Sequence, residues 1–165
     1  MRLREPKPQR CGINQLEKFM GLDMFLTGKR YLGRRDQEAA DAIGEMNIGV
    51  HGMKPIRVEC EAMYWRKANA IHHWFVENVQ HGKDDCGEYE VPIDDLKTLA
   101  DACKEALANR DKADEILPPS SGFFFGMAEK DDWYWNSLQA TVDGITKILA
   151  NPDLSKWDFY YQASW

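Results

Sequence analysis

The hydrophobic period of this chain changes within a few residues, and that change limits the folds open to it more than any other feature. From Pro55 to Ala62, apolar and charged residues alternate at period two. This is the pattern of a half-buried strand with Ile56, Val58 and Cys60 turned inward. From Tyr64 to Val79 the repeat becomes helical, with Tyr64, Ala68, Ile71, Phe75 and Val79 on one stripe. The spacing predicts a central helix over 64–79. A strand and a helix that each bury one face must cover one another or a shared neighbour, so the domain is built from sheet and helix together.

Other segments extend the pattern. Residues 22–31 are rich in strand formers and end near Gly33, and residues 36–43 read as a short helix followed by glycines at 44, 49 and 52. Tyr89-Glu90-Val91 forms a short strand, and Pro92 fits the first turn of a helix over 93–108 with Asp94 and Asp95 placed against its dipole. Its core face is Ile93, Leu96, Ala100, Cys103 and Leu107. A third helix runs over 131–150, with Tyr134, Leu138, Val142, Ile145 and Leu149 inward and Asn151-Pro152 as its stop. Phe123-Phe124-Phe125-Gly126 is a strand or a buried loop, and residues 157–165 are strand-like throughout. Strands and helices alternate irregularly, with no repeated βαβ spacing and no Gly-rich phosphate fingerprint. The expected class is α+β, a mainly antiparallel sheet packed against three main helices (64–79, 93–108, 131–150).

At 165 residues the chain suits one compact domain, placed over 20–165. Residues 1–19 carry Pro6, Pro8 and Gly12 with little apolar periodicity and read as a loosely ordered N-terminal extension. No apolar run approaches the roughly 18–20 residues needed to span a bilayer, and the first residues have no signal-peptide core, so the expected location is the cytosol, without a membrane. A net charge of −6 argues against non-specific binding to nucleic acid. The basic clusters Arg2/Arg4/Lys7/Arg10 and Lys29/Arg30/Arg34/Arg35 read as solvated charge. Cys11, Cys60, Cys86 and Cys103 form no CxxC pair, which leaves no zinc ribbon and no redox motif; neither metal nor cofactor is expected.

Candidate sites follow from polar and aromatic residues at the border of the core. On a helix over 64–79, Trp65, Asn69, His72 and Val76 form a second stripe beside the core stripe. It reads either as a satisfied boundary cluster or as a pocket wall, with Trp65 as a stacking platform and Asn69 and His72 bonding a ligand. His72 could serve as a general base, but nothing in the sequence supplies a nucleophile. Arg66, His73 and Glu77 read as a solvated ion-pair face. Asp84-Asp85-Cys86-Gly87-Glu88 mixes hard carboxylates with a soft thiol, an inconsistent set for one metal ion, and reads as a turn capped by Asp side chains. Ser121-Gly122 is an anion-binding nest or a plain turn, here the second part of the ligand set. Six Trp, six Tyr and seven Phe exceed what a core of this size needs, which directs Trp133, Trp135 and Trp165 to a partner-binding surface.

Five strings carry a resemblance: Met20-Gly21-Leu22-Asp23-Met24, Tyr64-Trp65-Arg66-Lys67-Ala68-Asn69, Asp84-Asp85-Cys86-Gly87-Glu88-Tyr89, Ser121-Gly122-Phe123-Phe124-Phe125-Gly126 and Trp157-Asp158-Phe159-Tyr160-Tyr161. Together they resemble a family of small bacteriophage and prophage proteins without an assigned activity, over residues 20–165. The resemblance implies that residues 1–19 lie upstream of the family's usual start, and it brings no catalytic roles. It also implies a setting: an accessory protein that binds and inhibits a host protein, such as an anti-CRISPR-like blocker of a defence component, without catalysis. Two alternatives stay open beside it. One is a protein that binds or sequesters a nucleotide-type small molecule; the other is a small enzyme with His72 as base assisted by Asp85 or Glu88. Homo-oligomerisation could also use the surface aromatics.

Overall fold

The structure is a computed structural model that describes residues 21–45, 54–119 and 130–165. The N-terminal extension, the Ser121-Gly122 pair and the Phe123–Gly126 run all lie outside the described residues. Four strands, β1 (Asp23–Tyr31), β2 (Arg57–Arg66), β3 (Tyr89–Val91) and β4 (Asp158–Ser164), form one antiparallel sheet in the order β2-β1-β4-β3. The helices are α1 (Gln37–Glu45), α2 (Asn69–Asn78), α3 (Ile93–Ala108), α4 (Ala113–Ile116) and α5 (Asp132–Leu149). The fold is α+β, with the antiparallel sheet expected from the sequence.

Alternation along the two central strands divides the sheet into unlike faces. Met24 and Leu26 of β1 and Phe159, Tyr161 and Ala163 of β4 are buried, whereas Phe25, Thr27 and Tyr160 between them are half-buried. The inner residues share one core with Ile71 and Phe75 of α2, Leu96, Leu99 and Cys103 of α3, and Leu138 and Ile145 of α5. An antiparallel sheet can keep one face wet in this way, with its helices packed on the other. Helices α3 and α5 begin and end within a residue of their predicted limits. Each starts on a clear local signal: Pro92 directly precedes α3, and the Asp131 carboxylate caps α5 by accepting from the Tyr134 N–H at 2.9 Å.

The central helix departs from expectation. It starts at Asn69, and Tyr64, Trp65 and Arg66 continue β2 instead. Lys67, with φ of 54°, turns the chain from strand to helix, and its N–H donates to the Leu22 carbonyl at 2.7 Å. Tyr64 and Ala68 are four residues apart, a spacing that suits a helix and, being even, a strand as well, so the period could not show where one element ended. Ala68, Ile71, Phe75 and Val79 are buried as the stripe predicted, but Tyr64 is exposed.

The inward assignment of Ile56, Val58 and Cys60 is also corrected. Ile56 and Cys60 are exposed and Val58 is half-buried. β2 is the edge of the sheet, and a bulge leaves Ala62 unopposed between the pairs Leu26–Met63 and Thr27–Glu61. Beyond the bulge, toward its start, the strand's alternation continues but the helices no longer cover it. On the covered side α5 comes so close that a Cβ at Gly144 would lie 2.3 Å from Met63 Cε.

The second basic cluster is not simply solvated either. Neighbouring strand residues point to opposite faces. Lys29, well shielded, pairs with Glu88 at 2.6 Å and lies 4.3 Å from the centre of the Tyr160 ring. Arg30 is held by Asp36 at 2.5 Å and Asp153 at 3.8 Å.

Candidate functional site

With Trp65 on a strand, the Trp65, Asn69 and His72 stripe does not exist as one helical face. All three residues are buried, His72 to 2% exposure. The His72 ring joins three elements: Nδ1 lies 2.7 Å from Tyr161 Oη on β4, and Nε2 lies 2.9 Å from Asp84 Oδ1 in the loop before β3. A carboxylate only accepts, so Nε2 carries the hydrogen; in the neutral ring Nδ1 then accepts, and the Tyr161 hydroxyl donates to it. Burial, and then the Asp84 charge, push the Tyr161 hydroxyl well above its ordinary acidity range, so it stays a donor. Tyr161 also stacks on Phe75, with ring centres 3.8 Å apart and planes 9° from parallel. Both imidazole nitrogens are committed and the ring is sealed, so a substrate would reach His72 only by displacing Tyr161 or Asp84. The arrangement acts as a clamp between α2, β4 and the 79–88 loop.

That loop is itself a capped turn. Asp85 accepts from the Gly87 N–H at 2.8 Å and from Tyr89 Oη at 3.0 and 3.1 Å, and Gln162 Nε2 donates to the Cys86 carbonyl at 2.8 Å. A Cβ at Gly87 would sit 2.7 Å from Asp85 Oδ1, which explains the glycine by close approach. Burial first, and then the hydrogen bond to Asp85, raise the Tyr89 hydroxyl. Among the described residues no group of His, Cys, Asp and Glu is arranged to hold a metal ion.

An open pocket lies elsewhere, where the end of β2 meets the start of α5. Tyr64, Trp65, Arg66 and Ala68 line it from one side and Trp133, Asn136, Ser137 and Ala140 from the other, around a volume of about 290 Å³. The four α5 residues fall at i, i+3, i+4 and i+7, one helical stripe beside the core stripe of Tyr134, Leu138, Thr141 and Ile145. Small side chains at 68, 137 and 140 leave the hollow, and the aromatic rings wall it.

Each of the three aromatic rings is pinned. Trp65 Nε1 donates to Thr141 Oγ1 at 2.8 Å, and that hydroxyl donates to the Ser137 carbonyl at 2.7 Å. Trp133, 56% exposed, donates its indole N–H to the Arg66 carbonyl at 3.1 Å. Tyr64, 44% exposed, donates to the Asp23 carboxylate. That bond, followed by partial burial and the Asp23 charge, raises its hydroxyl against an opposing pull from Arg66. The Trp133 bond also occupies a backbone acceptor of the edge strand. Together with the bulge and the charged run Arg57, Glu59 and Glu61, it blunts β2 against pairing with another strand.

The sequence set Trp133, Trp135 and Trp165 on one partner-binding surface, and the structure spreads them. Trp133 is exposed at the pocket. Trp135 is half-buried, edge-on to Tyr134 at 4.8 Å and covered by Arg110 at 4.6 Å. Trp165 is half-buried with its ring 5.5 Å from His72. Across the two sets, Trp65 meets Trp133 at the pocket and His72 meets Trp165 ring to ring. Asn136, Ser137 and Ala140 escaped notice because small and polar residues on a helix read as solvated surface; their signal was the i, i+3, i+4, i+7 spacing from Trp133. No helix among the described residues is long and apolar enough to cross a membrane. Comparison with protein-family models, with curated proteins and with solved structures found no match.

Proposed function

We propose that this chain is a non-catalytic binding protein that grips a protein partner at the pocket between β2 and α5. The resemblance to phage and prophage proteins supplies the setting: the partner is a host factor in the cytosol, a bacterial defence component in the anti-CRISPR-like case, and seating it inhibits it. One observation carries the reading. Trp133 keeps more than half of its surface in water while its indole N–H is fixed to the Arg66 carbonyl. A large ring held rigid and exposed beside a hollow has the character of an interface hot spot. The volume of the hollow favours a second reading, a small-molecule pocket, because it stands at the lower edge of the size range of such sites.

Native mass spectrometry on wild type and Trp133→Ala, both purified gently from host cells, tests the proposal. A host protein bound to the wild type and lost from a folded Trp133→Ala supports it. A partner retained equally by both proteins sinks the pocket as the binding site. An added mass of roughly a few hundred daltons that vanishes in the variant transfers the site to the small-molecule reading.

A further inference from the structure

We draw no further inference here: the strongest candidate, the outer face of the sheet where the rings of Phe25, Tyr31 and Tyr160 lie among carboxylates, carries nothing, because Lys29, Arg57 and Arg66 stand on the same face and nothing in the structure shows what covers it.

Discussion

Trp65 and Trp133 touch the same pocket, and both bond their indole N–H within the chain, yet one is 4% exposed and the other 56%. For Trp65 the bond to Thr141 is the condition of burial, since an unpartnered N–H inside the core would cost more than the ring gains. Trp133 has no such need, because water could serve its N–H equally well. Its bond to Arg66 instead fixes the orientation of a ring that is already exposed. The same interaction therefore serves stability in one place and presentation in the other. The two residues should separate completely when each is removed.

The largest effect is expected at Trp65. Trp65→Ala empties a core site between β2, α2 and α5 and removes the donor to Thr141 Oγ1, which keeps only its bond to the Ser137 carbonyl, a loss of about 4 kcal/mol. Urea unfolding followed by circular dichroism measures it. A loss below about 1 kcal/mol would mean that the site collapses freely and that Trp65 belongs with Trp133 as a presented residue. The His72 clamp comes next. Tyr161→Phe keeps the stack on Phe75 but removes the donor to His72 Nδ1, leaving a buried acceptor unmet, and should cost about 1.5 kcal/mol. If Tyr161→Phe is neutral in stability but abolishes partner binding, the clamp is a functional site and the contrast drawn here fails.

The long helices were legible in the sequence because their burial repeats over many turns. Leu96, Ala100, Cys103, Leu138 and Ile145 were placed inward on spacing alone, and Leu99 and Thr141 were missed only because they lie at the margins of their stripes. The end of β2 was not legible. The run from Tyr64 to Ala68 satisfies both periods, so a strand was taken for the first turn of α2. That single error put Trp65 on a stripe with Asn69 and His72 and hid its approach to α5. The pocket was out of reach for a different reason. It exists because a β-bulge, a left-handed Lys67 and small residues on α5 bring together segments separated by about 70 positions, and no local pattern encodes that meeting. The sequence singled out His72 as a polar residue at the border of the core. Its partners Tyr161 and Asp84 lie 89 and 12 residues away, which placed the chain of bonds beyond any reading by helical spacing.

The smallest effect on stability should come from Trp133→Ala, and this is where the comparison is sharpest. Truncation removes one hydrogen bond to a carbonyl that water can reach and exposes the rims of Tyr64 and Ala140, so the expected loss is under about 1 kcal/mol. Thermal and urea unfolding of the variant should nearly overlay the wild type, while its retention of partner disappears. If Trp133→Ala instead unfolds as readily as Trp65→Ala, its ring is a lid on the core: the exposed surface would be incidental, and the pocket would lose its claim to be a binding site. Trp133→Phe refines the result. Phe keeps a ring over the hollow but cannot donate to Arg66, so a Phe variant that folds normally and binds several-fold more weakly assigns the hydrogen bond to orientation, whereas full binding would leave ring area as all that the site requires.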